Sequence, residues 1–317
     1  RPAKAPPSTT SSRLWKKTPP KGLPRHNQRT WLVVALVFFL PTASTSAAST
    51  PLRLSTWNVE WLLDETSPTT STAPADRPYR GPQDYAAMAE YAARLKADVI
   101  GMQEVDSPAT LGRLFPPSRY QLLFSDDSIL QRTALVVRKG LVLRRNPDIT
   151  ALNTNPPGAV HALRSGLDVS LFVNGTELRL LVVHLKTGCW DNPPAERHHA
   201  CPTLLQQFDV LKRWISARAA EGSAFAIMGD FNRRMTPQDP LFITLTQAAP
   251  LDLTTAHTAS PCQGGGYFID HILLGGAAMG WKEAGSLHVM LIPEGESPVL
   301  SDHCPVSITL NIPTKTP

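Results

Sequence analysis

The chain has 317 residues, 42% of them hydrophobic, which excludes a disordered chain and allows one large domain or two small ones with a buried core. A formal net charge of +5 invites a nucleic-acid reading, but 8 of the 31 basic residues fall within the first 50 positions, where there is no acid at all. The remaining 23 face 26 acidic side chains over residues 51–317, so the basic balance belongs to the leader and says nothing about the substrate.

That leader, residues 1–48, has the three parts of an export signal: a basic stretch ending RHNQRT, an apolar run WLVVALVFFL and a small-residue tail PTASTSAAST. The apolar run is about half of the roughly twenty residues a helix needs to cross a bilayer. Cleavage after Ala47 or Ala48 is therefore predicted rather than a retained anchor, with the mature chain exported to a periplasmic or extracellular location. In such an oxidising compartment Cys189, Cys201, Cys262 and Cys304 read as two disulfides, because none has the close spacing of a zinc site.

LRLSTWNVEWLL opens the catalytic region as a strand and is followed by the Pro-, Ser- and Thr-rich stretch DETSPTTSTAPADRPYRGP, a surface loop. QDYAAMAEYAARLKA then carries Tyr85, Met88, Tyr91, Ala92 and Leu95 at helical spacing, and DVIGMQEV is a short apolar strand. Strand signals repeat through YQLLFS, TALVVRKG, LVLRR, LDVSLFVNG and TELRLLVVHL, with Asn174-Gly175 as a hairpin turn. Leu204, Leu205, Phe208, Leu211 and Ile215 mark a second amphipathic helix over 203–220. AFAIMGDF, YFIDHILLG and PVSITL close the chain as strands, the last fed directly by the Asp302-His303 pair. Composition does not change after the leader, so one α/β domain is expected over 49–313, with 314–317 a tail. Many strands and few helices point to stacked sheets.

Polar side chains interrupt the strand ends: Asn58, Glu104, His184, Asp230 with Asn232, Asp270, and Asp302 with His303. Breaks of a local rule at the ends of well-formed elements are where function is expected. WNVEW, QEV, HLK, GDFN, DHILL and SDHCP resemble, in order and context, the endonuclease/exonuclease/phosphatase superfamily of deoxyribonucleases, abasic-site endonucleases, neutral sphingomyelinases and inositol polyphosphate 5-phosphatases. The resemblance implies a four-layer α/β sandwich, two mixed β-sheets packed face to face with helices outside and the site at one end. It implies a metal environment of Asn58, through its amide oxygen, Glu104 and Asp302, and a dyad of Asp270 and His303. In that dyad His303 acts either as general base or as an electrostatic stabiliser of the phosphate. Asp230 would orient or deprotonate the attacking water, and His184 and Asn232 would donate to phosphate oxygens. Four crowded carboxylates would raise one another's pKa values unless a cation were present. Mg²⁺ suits such oxygen donors, with Mn²⁺ or Ca²⁺ as substitutes.

Lys186, Arg132 and Arg164 are candidate phosphate contacts, each with a solvated surface residue as the alternative. His198 and His199 lie in a loop between two cysteines and are not read as ligands. Cys189 and Cys201 flank that loop and are expected to bridge. If Asp270 touches His303 as the resemblance implies, Cys262 can reach Cys304; a free Cys304 is the alternative. The expected activity is in-line hydrolysis of DNA or RNA phosphodiesters by an exported, metal-dependent monomer, with no protein partner implied. A sphingomyelinase-like or sugar- or inositol-phosphate phosphoesterase is the alternative, and a non-catalytic binding module a lesser one. Position 184 is His where the abasic-site enzymes use Tyr, which counts against a DNA-repair role.

Overall fold

The alternating runs become strands and the two apolar stripes become the long helices in the computed structural model, which describes residues 48–66, 68–155, 159, 162–262, 266, 268–292 and 300–315. The predicted leader, Ala48 apart, lies outside the described residues. The first half of the chain holds β1 (Ser49–Leu62), α1 (Pro82–Leu95), β2 (Val99–Val105), α2 (Pro108–Leu114), β3 (Tyr120–Phe124), β4 (Arg132–Arg138) and β5 (Val142–Arg145). There follow β6 (Leu167–Val173), β7 (Thr176–His184), α3 (Cys201–Ala220), β8 (Phe225–Asp230) and α4 (Pro240–Thr246). The chain closes with β9 (Leu251–Leu253), β10 (Asp270–Gly275), β11 (His288–Val289) and β12 (Val306–Pro313).

The strands form two mixed six-stranded sheets, β11-β12-β1-β2-β4-β3 and β5-β6-β7-β8-β10-β9. Leu52, Leu54 and Val99 of the first sheet pack against Val169, Leu180 and Met228 of the second in one continuous core. Each such side chain stabilises the fold by ~1.5–3 kcal/mol through removal of apolar surface from water. The outer face of the first sheet is covered by α1 and α2 through Met88, Tyr91 and Leu111, and that of the second by α3 and α4 through Phe208, Leu211 and Leu245. This is the expected four-layer sandwich.

Tyr85, Met88, Tyr91, Ala92 and Leu95 are all buried on α1, as their spacing predicted. Asn174 and Gly175 both take positive φ, +49° and +80°, the backbone that a two-residue hairpin loop requires. The short helices α2 and α4 carry too few turns for a periodic signal and were not anticipated. Ser107 and Asp239 cap them, accepting from the backbone N–H of Thr110 and Phe242, and each has Pro in its first turn; those are the sequence signs of a helix start. The Pro-rich stretch after β1 is tied down more than a surface loop needs: Arg77 pairs with Glu65 at 2.7 Å, and buried Arg80 donates to the Glu60, Trp61 and Leu300 carbonyls.

Candidate active site

Strand direction explains why residues far apart in sequence meet. β1 and β2 run parallel, as do β7 and β8, so Asn58, Glu104, His184 and Asp230 stand at carboxyl ends on one rim. β12 and β10 run antiparallel to β1 and β8, which brings Asp302, His303 and Asp270 to that rim from their amino ends. The register pairs Asp230 with His184 on one side and Asp270 on the other. Gly229 permits this: its φ is +146°, and a Cβ there would stand 1.9 Å from the Val183 carbonyl oxygen.

Bulges aim the acids of the first sheet. The register of β1 on β2 shifts between Asn58 and Leu62, and that of β2 on β4 between Met102 and Val105. There Glu60, Trp61 and Glu104 adopt φ of +47°, +54° and +64°. Such backbone costs a residue with a side chain on the order of 1–3 kcal/mol and collects at functional sites.

Glu104 accepts from Asn58 Nδ2 at 3.1 Å, from the Trp61 N–H at 3.1 Å and from Gln131 Nε2 at 2.6 Å. Asp230 accepts from the Asn232 N–H at 2.7 Å and from the Asn58 and Asn232 amides at 3.1 Å each. Asn58 was expected to present its amide oxygen. It instead points its nitrogen at the two carboxylates, and its Oδ1 accepts from the Glu60 N–H at 3.0 Å. An amide wedged between two acids is held by its donor end. The dyad is formed, with His303 Nδ1 2.7 Å from Asp270 Oδ2. Its loop is anchored to β1: Trp57 Nε1 donates to the His303 carbonyl at 3.1 Å, and Ser301 Oγ links the His303 N–H to the Asn58 carbonyl.

Burial, rather than the mutual repulsion expected from the sequence, is the main force on the acids. It raises Asp230 to about 7, with Asp270 adding and His303 opposing. It also raises Asp302, with Glu104 and Asp270 adding, and Glu60, with Asp302 adding. Burial works against a charged His303, but the carboxylates of Asp270, Asp230 and Asp302 outweigh it and hold the imidazole well above its ordinary value. His184 goes the other way: burial, then the Arg164 guanidinium, keep it neutral. The Arg164 guanidinium lies along the ring, with Nε donating to His184 Nδ1 at 3.1 Å and Nη2 standing 2.8 Å from Nδ1 and 2.6 Å from Nε2; Nε2 also stands 3.6 Å from Glu104 and 3.7 Å from Asp230.

Three of the candidate phosphate contacts line the same cleft of about 1760 Å³, together with His184, Asp230, Asn232 and His303. Arg164 is braced on His184, and Lys186 donates to the Thr187 carbonyl at 3.1 Å. Arg132 is turned to the fold: Nε and Nη2 bind the Asp106 carbonyl, and the guanidinium lies 4.8 Å over Phe124. Glu60 and Gln131 join the site although sequence reasoning passed over them. Glu60 accepts the Asp302 N–H at 3.1 Å; its place inside WNVEW was the available signal, whereas Gln131 had none. His198 and His199 are exposed. Both expected disulfides form, Cys189–Cys201 and Cys262–Cys304.

Glu104 and Asp302 bring carboxylate oxygens to the cleft beside Glu60; both raise the proton affinity of Glu60, and Glu104 that of Asp302, and a donor set of carboxylate oxygens fits a hard divalent cation. Asp230, Asp270 and His303 also offer ligand atoms within 4.8 Å of one another. In that second group His303 Nδ1 is held by Asp270 and Asp230 accepts from three N–H donors, which reads as a proton-holding network, while the buried Asp270 Oδ1 has no hydrogen-bond partner among the described residues.

The sequence profile of the Endonuclease/Exonuclease/phosphatase family matches residues 55–303. TDP2 from C. elegans is 16% identical, with a TM-score of 0.57 over 84% of this chain and 76% of that one. The human Nocturnin catalytic domain with bound sulfate gives 17% and 0.56 over 83% and 93%, and D. rerio TDP2 complexed with single strand DNA product gives 17% and 0.55 over 83% and 99%. No curated protein matches the chain significantly. With the rim of acids and imidazoles in the family's order and the profile spanning most of the sequence, the chain belongs to the endonuclease/exonuclease/phosphatase family and is a hydrolase of phosphate esters.

Proposed function

We propose that the chain is an exported, metal-dependent nuclease that cleaves DNA or RNA phosphodiesters by in-line attack of water. The carrying observation is the cleft of about 1760 Å³. Pockets for small ligands hold roughly 300–1,000 Å³, so this one suits a polymer better than a sugar phosphate. Glu104, His184, Asp230, Asn232, Asp302 and His303 lie along it, with Arg164 and Lys186 on its wall. The TDP2 structure that holds a DNA product adds support from a relative of the same fold. Two disulfides and the apolar leader support export.

Glu104 and Asp302 would hold Mg²⁺, with Mn²⁺ or Ca²⁺ as substitutes, and Asn58 would contribute its oxygen after an amide flip. The bound cation would supply charge neutralisation to the phosphate and the leaving oxygen. Asp230, raised to about 7 by burial, takes the proton of the attacking water near neutral pH, where a general base works best. His184, with Arg164 against its ring, and Asn232, through its amide, donate to non-bridging oxygens as charge builds. His303, held charged by Asp270, serves as the electrostatic partner of the phosphate rather than as the base.

Incubating the protein with plasmid DNA, RNA, sphingomyelin and inositol phosphates, with Mg²⁺ and with EDTA, tests this reading. Hydrolysis of nucleic acid with Mg²⁺ alone is expected. Turnover confined to sphingomyelin or small esters would move the chain to another branch of the family, and turnover in EDTA would remove the metal.

A further inference from the structure

The cleft has a second arm. Thr187, Asn232, Asp302 and His303 line the main cleft and also a groove of about 630 Å³ that continues to Trp190, Arg234, Phe268 and the Cys262–Cys304 bridge. A phosphodiester bound at Asn232 and His303 has substituents on two ester oxygens, and two arms meet at that point.

Trp190 is the unusual residue of this arm. Its side of the groove is open, with Trp190 43% exposed, and among the described residues it joins none of the three apolar cores. Its φ of +43° is one that a bulky residue keeps only when the surroundings impose it. The surroundings do so from several directions. Cys189, its neighbour, is bridged to Cys201 at the start of α3. Trp190 makes a β-bridge with Arg233, and its carbonyl accepts from the Arg234 N–H at 3.2 Å. Arg233 is itself buried on Asp239 and donates to the Asn192 carbonyl at 2.7 Å. The fold thus fixes the backbone of an indole whose ring it does not use for packing.

Building on the nuclease reading, we propose that this arm is a nucleobase subsite, in which the base next to the scissile phosphate stacks on Trp190. An exposed aromatic face binds any of the bases, since each has a π-face, and the strapped backbone keeps the indole at the groove. The rest of the lining suits a flat group with polar edges better than an acyl chain: Thr187 and Ser260 carry hydroxyls, and Arg234 stands at the rim, paired with Asp191 at 3.3 Å.

The test uses Asp230→Asn protein, in which turnover is slowed about 10³-fold, and compares its affinity for an oligothymidylate with that for an all-abasic tetrahydrofuran strand of equal length, by fluorescence anisotropy in Mg²⁺. Adding Trp190→Ala is expected to weaken binding of the base-bearing strand by roughly 5- to 150-fold, the usual range for one stacked base, and to leave the abasic strand unchanged. Trp190→Phe should keep most of the affinity. Equal loss on both strands, or loss on neither, would overturn the subsite while plasmid hydrolysis by the unaltered protein still upholds the nuclease reading. If the unaltered protein cleaves neither DNA nor RNA, the nuclease reading falls and the subsite with it.

Discussion

The two sheets supply the same device, a polar side chain at a strand end, but in different surroundings. In the sheet of β7, β8 and β10 the device is dry: His184, Asp230 and Asp270 are 4%, 1% and 7% exposed. In the sheet of β1, β2 and β12 Asn58 is equally dry at 1%, but the acids are wetter, with the Asp302 side chain 53% and that of Glu104 13% exposed, the latter offered at a bulge among N–H donors. Burial makes Asp230 hold a proton to about 7, whereas carboxylates at the open mouth remain available as oxygen ligands. Position along the strands decides where a group stands; the water around it decides what chemistry it can do.

The largest expected effect separates these two roles. Asp230→Asn should lower kcat by about 10³-fold, in the range for loss of a general base, at every Mg²⁺ concentration. Glu104→Gln should lose comparable activity at ordinary Mg²⁺ and regain part of it as Mg²⁺ is raised. Steady-state rates across a Mg²⁺ series would reveal either pattern, and rescue of both variants would erase the distinction between the sheets.

The dyad crosses from one sheet to the other. His303→Ala and Asp270→Asn should each reduce kcat by about 10²-fold or more, and the double variant should be little worse than His303→Ala alone, because groups acting as one unit give non-additive losses. Multiplying losses would show that the 2.7 Å contact is not a functional pair.

The bridges make a similar contrast. Cys189–Cys201 closes a separation of 12 residues and Cys262–Cys304 one of 42, so chain entropy assigns them about 3 and about 4 kcal/mol. Replacing both cysteines of a pair with Ala and measuring urea unfolding should give losses in that order. The second pair should also lower kcat, since it ties the loop before Asp270 to the residue after His303. Unchanged kcat would leave that bridge a purely structural staple.

The last effect concerns acid. His184 and His271 are buried neutral, His271 held down to about 4 by burial. His271 accepts Thr255 Oγ1 at Nδ1 and meets the Arg233 carbonyl at 3.0 Å. The unfolded chain takes up these protons near pH 6.5 and the folded one does not, so stability present above 6.5 is lost as pH falls toward 4. For His271 alone the loss is roughly 3 kcal/mol. His303 and Asp230 have the opposite sign: their raised values favour the fold at low pH, and that contribution is lost as pH rises through the folded values. Unfolding in EDTA between pH 4 and 7, compared between the unaltered protein and His271→Gln, isolates the histidine: the variant should lose less stability, or gain more, as pH falls, and the same pH dependence in both would remove His271 as a source.

Much of this site was legible because each strand is a local object. Period-two runs ending in an acid, an amide or an imidazole marked Asn58, Glu104, His184, Asp230, Asp270 and His303, and the structure brings all six to one rim. Gln131 escaped because a polar residue before a strand is ordinary. The orientation of the Asn58 amide escaped because it depends on two carboxylates from different sheets, Glu104 and Asp230. Arg132 and Arg164 looked alike in sequence, yet one is spent on the Asp106 carbonyl and the other faces His184.

Local pattern therefore determined the strands, the two long helices, the hairpin at Asn174-Gly175 and the identity of the polar strand ends, since these follow from side-chain period and backbone preference within a few residues. Tertiary structure alone decided which acids are dry, which arginine faces His184, and that Trp190 is held open in the groove that His303 also lines. Those properties arise where two sheets, two disulfides and several loops converge, and desolvation and long-range charge depend on every element packed around a group rather than on its neighbours in the chain.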